Sequence, residues 1–210
     1  MRILFIGNSF TARNNLPGLV ASLAAERGIT IDHRLITAGG ASLRQHLNAE
    51  KALTELATGN YDTVVLQEQS TLPLKNPARM HENIRDFHTA ISAAGAQTAL
   101  YMTWSRKNQP QEPFTTAYAT IAAELDATLV PAGLIWEQFQ AAHSTPSLHD
   151  ADNSHPSPAG SYLAACVFLI TLLQEDPRGI DVPVKGLDND SADLLRRSAW
   201  EICESLAGTD

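Results

Sequence analysis

Apolar residues follow two alternating rhythms along this chain. Short runs of Ile, Leu and Val, apolar at consecutive positions, predict strands buried on both faces over Arg2–Ile6, Thr63–Leu66, Thr98–Thr103 and Thr128–Val130. A further strand is expected over Ile29–Ile36, where the alternation of Ile29, Ile31 and His33 with polar residues is imperfect. Between these runs the apolar positions recur at helical spacing, as Leu43, Leu47, Leu53 and Leu56 do. That spacing predicts helices over Leu16–Arg27, Leu43–Leu56, Ala78–Ala94, Thr115–Leu125 and Ile135–Ala142. Gly28, Gly59 and Gly95 punctuate the ends of three of them. A strongly apolar helix from Pro158 to about Gln174 and an amphipathic one over Ala192–Leu206 complete the series.

Strand and helix alternate through most of the length. Strands apolar on both faces and joined by helices imply a parallel sheet covered on both sides, with right-handed crossovers. The expected fold is therefore a three-layer α/β/α domain with a flavodoxin-like five-stranded parallel sheet. No repeat, low-complexity tract or linker divides residues 1–210, so one domain is expected. Ligands of such sheets bind beyond the carboxyl ends of the strands. Polar residues gather there: Gly7-Asn8-Ser9-Phe10, Gly39-Gly40, Gln67-Glu68-Gln69-Ser70, Trp104-Ser105-Arg106 and the loop over 144–157.

Composition narrows the partners. Fifteen basic against 23 acidic residues give a net charge of −8, and the basic residues are scattered, which argues against nucleic acid or anionic lipid. The longest apolar run, Tyr162–Leu173, is too short to span a bilayer and reads as a central core helix. The apolar opening Met1–Gly7 is too short for a signal peptide. Cys166 and Cys203 fit small core residues in a reducing compartment, and a cytoplasmic location is expected. Oligomeric state stays open.

The chemistry rests on three side chains. Ser9 leaves the first strand in a tight turn after Gly7; alone it could merely cap a helix, and no Lys-Ser/Thr pair marks a phosphate loop. A nucleophilic serine needs a neutral imidazole to take its proton, and that imidazole needs a carboxylate to fix its tautomer. Asp152 and His155, three residues apart in one polar loop, supply both. Ser157-Pro158 reads as N-cap and first residue of the next helix, anchoring that loop, and Pro156 keeps His155 extended.

Gly-Asn-Ser-Phe after the first strand, Gly40 after the second, a polar block after the third and Asp-x-x-His before the last core helix resemble the SGNH (GDSL-like) hydrolase superfamily, in its motif order, over residues 3 to about 172. The resemblance implies a serine esterase with Ser9 as nucleophile, His155 as general base then acid, and Asp152 as orienting carboxylate. It also implies an oxyanion hole from the backbone N–H groups of Ser9 and Gly40. The third block departs from the superfamily's Gly-x-Asn-Asp: a glutamine amide would replace the asparagine, either Gln69, two residues further along, or Gln67. Asn8, Trp104 and His149 are expected around the substrate.

Two rivals share the fold. His149, Asp150, Asp152 and His155 crowd one loop and could hold a metal in a metal-dependent hydrolase. A non-catalytic ligand-binding module would have no need for Ser9, Asp152 and His155 together. The serine esterase reading requires no cofactor and takes a small-molecule ester, with a short acyl group such as acetyl on a carbohydrate. His33, His46, His81, His88 and His143 read as surface or element-end residues.

Overall fold

A computed structural model describes residues 1–208. Five parallel strands, β1 (Arg2–Gly7), β2 (Asp32–Thr37), β3 (Thr63–Leu66), β4 (Gln97–Tyr101) and β5 (Thr128–Val130), form one sheet in the order β2-β1-β3-β4-β5, the flavodoxin-like arrangement. The connections carry α1 (Ser9–Ala12), a 3-10 turn (Arg13–Asn15), α2 (Leu16–Ala25), α3 (Leu43–Asn48), α4 (Lys51–Gly59), α5 (Leu72–Lys75), α6 (Pro77–Ala93), α7 (Glu112–Leu125) and α8 (Ala132–Ala142). The chain continues into α9 (Pro158–Leu173) and α10 (Asn189–Ala207).

Successive strand residues point to opposite faces, and the core divides accordingly. Ile3, Phe5, Val65, Ala99 and Tyr101 pack with α2, α8, α9 and α10. Leu4, Ile6, Val64, Leu66 and Leu100 pack with α3, α4, α6 and α7. Helix α9 is buried along Ala159–Leu169, as its continuous apolar sequence requires, and lies between the sheet, α2 and α10. Among the described residues no helix is long and apolar enough to cross a membrane.

Several boundaries differ from the sequence pattern, among them the end of β4 and the starts of α7 and α8, and three of the differences have a visible cause. Strand β2 starts at Asp32, because Gly28 at φ +75° and the Ile29 N–H on the Ala24 carbonyl still belong to the exit from α2. The helix expected over Leu43–Leu56 is two helices, separated where Glu50 takes φ +55°. Helix α10 begins earlier than its apolar pattern, because the Asp188 carboxylate accepts the Ser191 N–H at 2.8 Å and caps it.

The functional edge is aligned by register. Ile6 pairs with Ile36 on one side and with Leu66 on the other, and Leu66 pairs with Leu100. Ser9 and Gln69 therefore lie equally far beyond paired residues of adjacent strands, and the loop after β4 rises beside them.

Candidate active site

The turn after β1 is built from buried amides. Asn8 caps α1: its Oδ1 accepts the Phe10 N–H at 3.1 Å, and its Nδ2 donates to the Ala41 carbonyl at 3.0 Å. Gln67 holds the turn from the β3 side, its Oε1 accepting the Asn8 N–H at 2.9 Å and the Thr11 hydroxyl at 3.0 Å. A Cβ on Gly7 would collide with both Gln67 Oε1 and Thr11 Oγ1, which is why a glycine ends β1. The remaining Gln67 group, Nε2, donates to the Glu68 carbonyl. His46 donates from Nε2 to the Gly7 carbonyl at 2.8 Å. So fixed, Ser9 is half-buried and presents its hydroxyl outward.

The opposing loop delivers an imidazole to the serine. Ser9 Oγ lies 2.9 Å from His155 Nε2, and His155 Nδ1 lies 2.5 Å from Asp152 Oδ2. The other carboxylate oxygen, Oδ1, accepts the backbone N–H groups of Ser154 at 3.0 Å and His155 at 2.8 Å. The hydrogen bond from the His155 ring is the largest cause holding the Asp152 carboxyl below the usual carboxylate range, and the two backbone donors add to it. The Asp150 N–H donates to the His155 carbonyl at 2.8 Å and the Ser157 N–H to the Leu148 carbonyl at 2.9 Å, closing the loop on itself. Ser157 then caps α9 through the Gly160 N–H at 3.1 Å.

Three contacts lock this loop to the serine turn. Asn14 donates to the Pro156 carbonyl at 3.2 Å and to the Ser161 hydroxyl at 2.9 Å, and Arg13 pairs with Asp150 at 2.7 Å. The Phe10 ring lies against the His155 ring, with centroids 5.2 Å apart, and against Trp104 at 5.5 Å.

The other residues expected at the site are placed unevenly. Gln67 is fully buried, and both its amide oxygen and its amide nitrogen already bond within the protein. Gln69 differs: its Oε1 accepts the Thr71 N–H at 2.8 Å and the Thr71 hydroxyl at 2.9 Å, and no described residue occupies its NH₂. Gly40 is exposed at φ +65°, a conformation that favours glycine, with open space where a side chain would stand. Asn8, Trp104 and His149, expected around the substrate, are instead buried. Asn8 is spent on the backbone as described. Trp104 stacks on Trp136, with centroids 3.7 Å apart, and donates from Nε1 to the Ser154 carbonyl at 3.0 Å. His149 packs edge-on against Trp136 and lies 3.1 Å from the Ser105 carbonyl, and burial lowers its pKa. His46, expected at the surface or an element end, lies in the last turn of α3 and is buried, with a pKa lowered by that burial.

Glu68, at a strand end, fits a carboxylate that binds loop amides better than a functional acid, and the structure uses it so. Fully buried, it accepts the Leu43 and Gln69 N–H groups on Oε1 and the Asn83 amide on Oε2, so one carboxylate joins the third loop to α3 and α6. Burial pushes its pKa up against those donors. Its position directly after a buried strand was the available signal.

The cluster weighed as a metal site disperses: Asp150 turns to Arg13, His149 to Ser105, and Asp152 to His155. Among the described residues no three His, Cys, Asp or Glu side chains are grouped to hold a metal ion.

No protein-family model and no curated protein matches the chain. Solved structures do. A protein from Slackia heliotrinireducens assigned to the SGNH hydrolases superposes with a TM-score of 0.73 at 33% identity, covering 82% of this chain and 98% of its own. This chain belongs to the SGNH hydrolase superfamily. Two further solved structures, at lower identity, share the fold. A DUF4886 family protein from Bacteroides uniformis has a TM-score of 0.78 at 16% identity, covering 97% of this chain and 95% of its own. A mutant of an acetylxylan esterase from Geobacillus stearothermophilus has 0.63 at 18%, covering 81% and 93%.

Proposed function

We propose that this SGNH hydrolase is a serine esterase that removes a short acyl group, of acetyl size, through an acyl-Ser9 intermediate. The observation that carries the reading is the continuous row Ser9 Oγ–His155 Nε2, 2.9 Å, and His155 Nδ1–Asp152 Oδ2, 2.5 Å. Asp152 can only accept at Nδ1, so Nδ1 holds the proton and Nε2 is left to take one from Ser9. Ser9 Oγ attacks the acyl carbon as its proton passes to Nε2. Collapse of the tetrahedral intermediate breaks the bond to the alcohol, which leaves with that proton. Water then repeats the sequence on the acyl-enzyme, its proton passing through His155, and releases the acid.

Charge on the intermediate's oxygen falls to the Ser9 and Gly40 N–H groups and the Gln69 NH₂. Three features support this assignment. Gln67 is fully buried with both amide atoms already bonded within the protein, the Gln69 amide is turned by Thr71 with its nitrogen unoccupied by any described residue, and register puts Gln69 level with Ser9. Each such donor contributes about 3 kcal/mol to the transition state. The short acyl preference and a carbohydrate alcohol draw support from the acetylxylan esterase neighbour. Both cysteines are free thiols, in keeping with a reducing interior of a cell.

The test is active-site labelling with a fluorophosphonate. The wild-type protein is expected to gain one adduct on Ser9 and to hydrolyse p-nitrophenyl acetate in the presence of EDTA. Ser9→Ala is expected to do neither. Hydrolysis that survives Ser9→Ala, or that EDTA removes, overturns the assignment.

A further inference from the structure

The cationic residues of this acidic protein are not evenly employed. Every arginine except Arg106 is engaged by a carboxylate, a carbonyl or a phenol oxygen, as Arg44 is by Asp86, Arg27 by the Asp176 carbonyl and Arg196 by Tyr162. Arg106 stands exposed directly after Trp104-Ser105 with no side-chain partner among the described residues. The same holds for all four lysines, Lys51, Lys75, Lys107 and Lys185.

Arg106 and Lys75 also share a place. The segments following β3 and β4 face one another across a cavity of about 340 Å³. Leu74 and Phe114 give it an apolar wall; Arg106 and Lys75 line it with Ser70 and Gln109, and no carboxylate does. Leu74 is 49% exposed, unusual for a large apolar side chain of this protein.

This recess adjoins the proposed chemistry. Strands β1, β3 and β4 are successive neighbours, and strands lie about 4.8 Å apart, so the ends of β3 and β4 fall within about 10 Å of the end of β1 that carries Ser9. The Lys107 N–H donates to the Asn153 carbonyl at 3.0 Å, so the loop bearing Arg106 is fastened to the turn between Asp152 and His155. The cation is thus held at the rim of the site by backbone.

From this juxtaposition we infer that the recess receives an anionic part of the substrate: the ester carries a carboxylate or phosphate a few bonds from the scissile carbonyl, and Arg106 with Lys75 binds it. The inference rests on the Ser9 esterase reading and deepens it; an anion on the acyl side would replace the acetyl-size acyl group proposed above, and an anion on the alcohol side would keep it. A guanidinium offers a planar pair of N–H groups matched to carboxylate or phosphate oxygens, and the apolar wall accommodates the carbon chain between. Arg106 determines specificity and takes no part in bond making; the anion is bound, not transformed. A neutral sugar acetate would leave this pair of cations unused.

The experiment compares kcat/KM for two matched pairs of esters in wild type and Arg106→Gln. One pair places the charge on the acyl side: mono-p-nitrophenyl glutarate against p-nitrophenyl valerate. The other places it on the alcohol: the acetyl ester of glycerol 3-phosphate against monoacetylglycerol. The expected result is a wild-type preference for the anionic member of at least one pair, identifying which side of the ester carries the charge. The charged-over-neutral ratio should fall about 10-fold in Arg106→Gln, the scale of one charge-assisted hydrogen bond, and decline with added salt in wild type. Equal kcat/KM within both pairs, or a ratio unchanged in Arg106→Gln, overturns the inference while leaving the esterase intact. Failure to turn over any of the four esters, or turnover that survives Ser9→Ala, overturns the esterase reading and this inference with it.

Discussion

His46 donates its Nε2–H to the Gly7 carbonyl at 2.8 Å, so a buried imidazole on α3 holds the last residue of the strand that presents Ser9. Burial lowers its pKa more than that hydrogen bond raises it, and His149, on the loop carrying Asp152 and His155, is lowered likewise. Each group therefore stays neutral in the folded protein at pH values where the unfolded chain, near 6.5, already takes a proton. Their stabilisation is present above that pH and lost as pH falls below it. Glu68, its pKa raised by burial, acts with the opposite sign, losing stability as pH rises above 4.5. The measurement is thus a difference: Tm of wild type should drop further between pH 7.5 and 5.5 than that of His46→Gln, which cannot titrate. Equal drops would rule out His46 as a source.

Asp152→Asn should separate catalysis from folding. An asparagine oxygen can keep accepting the Ser154 and His155 N–H groups, but its NH₂ then faces Nδ1 and forces the proton to Nε2, where it blocks the serine. The expected loss in kcat is about 10³-fold, below the roughly 10⁴-fold of a buried triad aspartate because Asp152 is half exposed to screening solvent. Tm should change little. A loss under tenfold would assign the orientation of His155 to something else.

The two glutamines should fail in different ways. Gln69→Ala is expected to lower kcat roughly 10²-fold with KM nearly constant, the signature of a donor used in the transition state. Gln67→Ala strips a partner from the Asn8 N–H and the Thr11 hydroxyl, and should cost about 1–3 kcal/mol of stability. A raised KM with unaltered kcat for Gln69→Ala would move that residue to ground-state binding.

Gly160→Ala tests how closely α9 must approach the base-bearing loop. Its Cβ would enter the Leu148 carbonyl and the Trp136 ring, and backbone yields less readily than a side chain. Overpacking of this kind costs about 1–3 kcal/mol. Tm should fall, and fluorophosphonate labelling of Ser9 should slow as His155 shifts. Labelling at the wild-type rate would show that the loop tolerates the displacement.

The sheet could be read from the sequence because strands apolar on both faces admit few arrangements, and the order β2-β1-β3-β4-β5 followed from their alternation with helices. The break at Glu50 could not: Leu43, Leu47, Leu53 and Leu56 keep a helical spacing across it, so periodicity conceals a residue whose φ is +55°. Ser9, Asp152 and His155 stood out because their chemistry needs all three, and proximity of Asp152 to His155 along the chain made their contact plausible. The choice between Gln67 and Gln69 was hidden. It depends on which amide the interior has already consumed, and Asn8 and Thr11 decide that from another strand's loop. The burial of Trp104 and His149 was hidden for a related reason: each sits beside a polar loop in sequence, yet Trp104 stacks on Trp136 and His149 meets its edge, which no local pattern reveals.

The Asp152 carboxylate grips the very residue whose ring it orients, through the His155 backbone N–H as well as Nδ1. Asp152 and His155 thus travel together as one prefabricated cassette on the threshold of α9, while under the proposed function the walls facing the ester come from the stretches after β3 and β4. Exposed positions there, such as Lys75 and Arg106, can therefore change the clientele without disturbing that cassette, whereas Trp104, bonded to the Ser154 carbonyl, is part of its foundation.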